Sequence, residues 1–452
     1  MDTTYRTVPA ASATPAALAR EVAGVVLVPG DEGYDAERSG FQTGHRHRPS
    51  VIVGAAGAAD VVAAVRWARA HGLPVAVQST GHGLTAATDG GLLISTRRMD
   101  EVRIDTAARI AWAGAGALWG KVIEAAAPHG LAPVNGSSPG VGVVGYTLGG
   151  GLGILGREFG YASDRVRRVD VVTADGELRR ASGDRDPELF RALLGGGHGL
   201  GAVTGLEFGL VPVERVYGGR LVFGAGLLDE ALAAYLAWTE DLPGRLTSSV
   251  GLIVYPDVPA VPGHLRGRHL AQIRIAFTGT AEDGERLVAP LRAVGPRVAD
   301  TLREMPYTES HTIHQDPATP HAYDGDSVLL SGLDAAELRQ VAALTGPDAP
   351  LMTVVQLNHL GGALATGGGS VGHRDARYLL RLLSPLDGTD VEAVRALHAK
   401  VRAVVASRAV GRSVNFLFGE HGDAVADAHE EEVRRRAAGA KAAYDPANLF
   451  RA

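Results

Sequence analysis

The sequence predicts an α+β fold in two units, on three observations. Residues 51–77 carry a strand, a helix and a second strand in quick succession. Residues 136–153 hold a glycine run: Gly136, Gly140, Gly142, Gly145, Gly149, Gly150, Gly151 and Gly153, set among Ser138, Val141, Val143, Tyr146 and Leu148. From about residue 216 the composition changes, and strand and helix candidates alternate as far as residue 405. A chain of 452 residues has room for two separate cores.

Taken in order, residues 1–24 are rich in Ala, Pro, Ser and Thr and are expected to lie loosely on the surface. Val25–Val28 reads as a short strand ended by Pro29-Gly30, and Val51–Val53 as another. Val61, Val62, Val65 and Ala68 share one face of a helix over Asp60–Ala70, with Gly72 as its stop. Leu73–Val77 is the next strand and delivers the chain to Gln78-Ser79-Thr80-Gly81-His82-Gly83. Strands follow at Leu92–Ser95, Val102–Asp105 and Ile110–Ala113, then a helix from Trp119 that ends at Pro128-His129-Gly130. Arg168–Ala174 and Val203–Val211 read as strands on either side of a helix opened by Asp186-Pro187. These are several small sheets rather than one doubly wound sheet. Further on, Arg220–Phe223, Ser249–Tyr255, Gln272–Phe277 and Met352–His359 are strand candidates. Leu228–Glu240, Glu282–Ala293, Ala335–Leu344 and Val391–Ser407 are helical, which predicts a sheet covered by helices. Turn-rich Gly361–Gly372 reads as a mobile loop, and Val414–Leu417 as a last strand.

Composition narrows the function. A net charge of -6 argues against nucleic-acid binding, because little here would displace counterions from a phosphate backbone. Arg434-Arg435-Arg436 follows Glu430-Glu431-Glu432, so each arginine meets a glutamate at i,i+4 on a solvated helix face. No apolar run reaches membrane-spanning length, and residues 1–18 lack the pattern of a signal peptide, so a cytoplasmic location is expected. Cysteine is absent, which excludes disulfides and thiolate metal sites. His311 and His314 have HxxH spacing but no suitable third ligand; they read as surface residues, and no metal is expected.

The glycine run is too dense in glycine for a core strand or a helix. Glycine is tolerated where another group must lie against bare backbone, and a row of free N–H groups suits a pyrophosphate. The run therefore reads as a cradle for a large phosphorylated cofactor; a flexible linker would not hold Val141, Val143, Tyr146 and Leu148. A dinucleotide fingerprint at Gly149–Gly153, with Asp170 near the required distance, lacks a clean turn into a helix. His82 lies between two glycines at the end of a buried strand, where a neutral imidazole is a nucleophile near pH 7.

A third stretch is Tyr444-Asp445-Pro446-Ala447-Asn448-Leu449-Phe450-Arg451. With the His82 turn and the glycine run, it resembles the berberine-bridge-enzyme-like flavoproteins of the vanillyl-alcohol-oxidase superfamily. Those proteins show a GGH attachment turn, a G-x-C-x-x-V-G-x-x-G-x-x-LGGG loop and a terminal YDPxNxF. The resemblance implies a PCMH-type FAD-binding domain of two small α/β subdomains over residues 1–215. It implies a substrate domain with an antiparallel sheet over 216–405, and a segment, 406–452, that returns to the first domain. It implies FAD joined through His82 to the flavin 8α-methyl carbon. Around it would stand Gln78, Ser79, Thr80, Gly81, Gly83, Ser138, Gly140, Gly142, Val143, Gly145, Tyr146, Gly149, Gly150, Gly153, Val203, Asn448 and Phe450. The family's second, cysteinyl link falls at Ser138 and cannot form here, so attachment is single, as in the branch that contains 6-hydroxynicotine oxidase.

Some family positions differ. The LFWAxRGGGGNFG run is Leu189–Gly201 here without its tryptophan, arginine, asparagine or phenylalanine, and Leu152 stands where many members have an aromatic residue. Strand alternation puts Gln356 and Asn358 on one face and His359 on the other. Gln356 and Phe416, beside Asn415, occupy the positions expected to hold a carboxylate or tyrosine base, and neither accepts a proton. The acceptor is then sought among Tyr255, His359, Tyr323 and Tyr146, with Tyr255 and His359 ranked first, unless the substrate's own acidity suffices. The implied activity is oxidation of a C–H next to a hydroxyl or amine of a small secondary metabolite, alkaloid or sugar, with dioxygen giving hydrogen peroxide. The rival readings are oxygenation or rearrangement of a natural-product intermediate, and a flavin-binding protein without catalysis. A monomer or homodimer is expected.

Overall fold

The computed structural model describes residues 14–451 except 85–86, 197–198, 260, 264 and 420–425. Among these residues the chain forms three sheets. The first orders Val25–Leu27, Val51–Gly54, Leu92–Ser95 and Val75–Gln78, parallel except at its first strand. Helix Ala58–Ala70 covers it with Val61, Ala64, Val65 and Ala68, all fully buried. Gln78 pairs with Ser95 at the sheet end, so the chain leaves the sheet just before His82. The second sheet is antiparallel, in the order Val102–Asp105, Ile110–Gly114, Ala202–Gly209, Val166–Val172, Leu178–Ser182.

The third is a nine-stranded antiparallel sheet. Its centre orders Arg215–Gly224, His269–Phe277, Leu246–Val254, Val354–His359, Tyr378–Pro385 and Tyr323–Leu330. One face buries Leu221, Ile273, Val250, Leu357 and Leu380 beneath helices Leu228–Trp238, Ala281–Arg292, Ala335–Leu344 and Val391–Val404. Alternation sends the intervening side chains to the opposite face. There Gln272, Gly251, Gln356 and Arg381 align across four strands, and Arg274, Ser249 and Asn358 form the next row.

Several expectations change. Leu18 is fully buried, and the Asp60 carboxylate accepts the N–H groups of Ala23, Gly24 and Ala56 at 2.8–2.9 Å, so residues 14–24 are anchored. Residues 1–13, and Gly197 and His198 of the second glycine run, lie outside the described residues. The first glycine run contains a helix, Val143–Leu148, because its glycines fall at the ends (Gly142 and Gly149), while Gly145 borders open space. Val414–Phe416 is a 3-10 turn rather than a strand: Asn415 is drawn out to Gly151 N–H at 3.1 Å and to the Tyr146 carbonyl at 3.0 Å.

Gly361–Gly372 is pinned to the other half of the molecule. Ser370 N–H donates to Leu194 O at 2.7 Å, Leu364 is buried, and Arg374 pairs with Asp164 at 2.6 Å. Arg157, itself buried, donates to the carbonyls of Leu360, Leu246, Pro243 and Leu242 at 2.9, 2.7, 3.2 and 3.4 Å. Phe450 closes back on Val75, whose N–H donates to Leu449 O at 2.8 Å. No helix among the described residues is long and apolar enough to cross a membrane.

Candidate active site

A cavity of about 890 Å³ lies where the three sheets meet, near the upper end for small-molecule and cofactor sites. The strand Val75–Gln78 brings the turn 78–83 into its wall. His82 Nδ1 lies 2.9 Å from Thr80 Oγ1, its ring stacks on Phe41 at 3.9 Å, and Tyr323 OH donates to its carbonyl at 2.7 Å. Burial, reinforced by His321 and only partly opposed by Asp316, lowers its pKa to about 4. The ring is therefore neutral at pH 7, the state in which nitrogen attacks carbon.

Gln78, Ser79, Thr80, Gly81, Gly83, Ser138, Gly142, Gly145, Tyr146, Gly149, Gly153, Val203 and Phe450 also line this cavity. Gly140, Val143, Gly150 and Asn448 do not. Val143 is buried in the core, and Gly150 turns toward Val371. Asn448 is exposed; its positive φ of 51° turns the chain so that Phe450 reaches the wall. The wall suits a flavin dinucleotide on two counts. Gln78 Oε1, Ser79 Oγ and Tyr146 OH are buried without hydrogen-bond partners, and Gly83 and Gly145 present bare backbone to open space.

The nine-stranded sheet supplies the opposite wall: Ser249, Arg274, Gln356, Asn358 and Arg381, joined by His314, Asp316, Asn415 and Phe416. The two residues ranked first as proton acceptors do not reach it. Tyr255 is not among the lining residues; its OH accepts from Gln272 Nε2 at 3.1 Å. His359 lies on the helix-covered face, its ring 5.8 Å from that of Tyr378. Burial, with Arg157 and Arg377 nearby, lowers its pKa to about 3. Tyr323 and Tyr146 are on the wall, but burial raises both phenols, so they stay protonated and cannot act as bases.

His314 reverses the surface reading of the HxxH pair. His311 is exposed, whereas His314 lines the cavity with its pKa lowered to about 3 by burial and by Arg274. The Asp316 carboxyl is lowered and stays ionised: the desolvation cost of its place on the cavity wall is outweighed by the Ser137 hydroxyl, Arg381 and Arg274. Sequence reasoning missed Arg274, Arg381 and Asp316. A signal existed for the arginines: Ile273-Arg274-Ile275 and Leu380-Arg381-Leu382 each put one charge at an alternate position of an apolar strand. Among the described residues no group of His, Asp and Glu could hold a metal ion.

Residues 49–182 match an FAD-binding-domain family. Over 459 aligned positions the chain is 31% identical to (R)-6-hydroxynicotine oxidase of Paenarthrobacter nicotinovorans, covering 95% of this chain and 96% of that protein. The crystal structure of 6-hydroxy-D-nicotine oxidase from Arthrobacter nicotinovorans superposes with a TM-score of 0.83 at 27% identity, covering 95% and 97% of the two chains. A berberine-bridge-enzyme-like protein of Physcomitrella patens shares the fold with a TM-score of 0.84 at 19% identity, over 97% and 98%. A dinucleotide-sized cavity between a glycine-lined cradle and a polar sheet thus belongs to an FAD-linked oxidoreductase. The chain is a member of the berberine-bridge-enzyme-like FAD-linked oxidases of the vanillyl-alcohol-oxidase superfamily.

Proposed function

We propose that this enzyme carries FAD covalently on His82 alone and oxidises a C–H next to a hydroxyl or amine of a small secondary metabolite, alkaloid or sugar. Bound FAD would take the hydride, and dioxygen would restore it with release of hydrogen peroxide. The observation that carries the reading is the His82 turn: a neutral imidazole stacked on Phe41 and fixed by Thr80 and Tyr323 at the cavity wall. Gln78–Gly83, Gly142, Gly145, Gly149 and Phe450 would hold the cofactor. Tyr146 supplies a free O–H donor, while the Tyr323 O–H is held by the His82 carbonyl. Asp316, paired with His314, is the group on the wall able to accept the substrate proton. The experiment is acid precipitation of the purified protein, followed by peroxide detection with candidate amines and sugars. Yellow colour should stay in the pellet; flavin in the supernatant would overturn the covalent link.

A further inference from the structure

The sheet wall of the cavity carries more positive charge than it neutralises. Arg274 and Arg381 both face the cavity, and among the described residues neither forms an ion pair with a carboxylate. Arg274 Nη2 donates to Gln272 Oε1 at 3.1 Å, while its Nε is buried without a partner. Its guanidinium lies across the bare backbone of Gly251, where an added Cβ would come within 2.4 Å of Nη1. Gln272 is fixed in turn, because its Nε2 donates to Tyr255 OH, leaving Oε1 for Arg274 and for Arg220 Nη1 at 3.3 Å.

Arg381 lies over the Phe416 ring at 3.7 Å, which sets the plane of its guanidinium. The register places it in the row of Gln272, Gly251 and Gln356, so the two arginines bracket one patch. The patch holds one carboxylate, Asp316, already accepting from Ser137, against three guanidiniums counting Arg220. Ser249, Gln356 and Asn358 add only neutral groups. A buried cation without a partner is unfavourable, and an arriving anion relieves it.

We propose that Arg274 and Arg381 bind a carboxylate of the substrate, which makes the substrate a small organic acid. This rests on the oxidase reading above. The planar fork of arginine matches a planar carboxylate, and Asp316 on the same patch disfavours a dianionic phosphate. Gln356 and Asn358 stand ready as further donors on the same face.

The test is calorimetric titration of the purified holoenzyme with benzoate and with benzamide, its uncharged isostere, with flavin content measured on the same samples. Benzoate should bind at least about tenfold more tightly, since bonds to charged groups are the stronger ones. Arg274→Gln and Arg381→Gln should each weaken benzoate about tenfold or more and leave benzamide within about twofold. Gly251→Ala keeps every charge but displaces the Arg274 guanidinium, and should weaken benzoate in the same direction. If a glutamine variant does not fold, Arg274→Lys and Gly251→Ala carry the comparison. Equal binding of the two probes by the parent overturns the proposal. So do variants that lose flavin while keeping the preference for benzoate, because the arginines then serve the cofactor. A parent without flavin would instead sink the oxidase reading, and the calorimetry would still report on the anion site.

Discussion

Asp316 and Tyr255 illustrate how differently two residues can sit relative to one cavity. Asp316 is on the wall beside His314, while Tyr255 lies outside the lining with its OH bonded to Gln272. General acid–base groups contribute on the order of 100- to 10,000-fold. Asp316→Asn should therefore slow flavin reduction by about 100-fold or more, while Tyr255→Phe should stay within about tenfold. Stopped-flow reduction under nitrogen measures both; a slow Tyr255→Phe beside a normal Asp316→Asn would reverse the assignment. The sequence made His82 legible because two glycines flank it after an apolar strand. It hid Asp316, which sits in a turn segment, Gln315-Asp316-Pro317, that reads as solvent-facing. It also ranked His359 as a base, although the same alternation that faces Gln356 and Asn358 to the cavity turns His359 to the helices.

Short elements join the two halves of the molecule, and Arg157 is the strongest example. Its one guanidinium serves four carbonyls of the neighbouring half, so Arg157→Ala leaves several buried acceptors unmet. The variant should lose on the order of 3 kcal/mol or more in denaturant unfolding, and Arg157→Lys should recover only part, since one ammonium cannot span that fork. On the strand Val354–His359, His359 ties folding to pH. Its pKa falls from 6.5 to about 3, so the unfolded chain binds the extra proton. Stability is full above pH 6.5 and declines as pH falls from there toward 3, by on the order of 2 kcal/mol at pH 5. His359→Gln should remove that share of the slope and leave the shares due to His82 and His314; an equally steep decline in the variant would refute it. Elements were read well where periodicity was clean, as at Leu92–Ser95 and Ala335–Leu344, where the expected bounds hold. Tyr323–Leu330 was not seen because Asp324-Gly325-Asp326 imitates a turn; pairing on both sides makes it a strand. The helix Val143–Leu148 was masked by the glycines that bound it.

Across the whole molecule, the cavity draws its walls from all three sheets, so a cofactor held there would bridge both halves. In His82→Ala the flavin would be held without a covalent bond, and acid should release it. The melting temperature of this variant should then rise with added FAD, by the equivalent of about 2.7 kcal/mol at a hundredfold excess over Kd. Flavin still attached after acid, or a melting temperature indifferent to FAD, would contradict that picture. The α+β class was readable from composition and periodicity, whereas the row that aligns Gln272, Gly251, Gln356 and Arg381 was not. Register between distant strands is set by packing that no single segment displays. The contact of Leu449–Phe450 with Val75 bears on how the protein is made. The strand that carries His82 is translated early, yet its edge and part of the cavity wall are supplied more than 360 residues later. The cavity is then complete only when the last residues are in place, so cofactor loading is expected to follow release from the ribosome. Truncation just before residue 449 should yield a colourless protein, which an absorption spectrum checks.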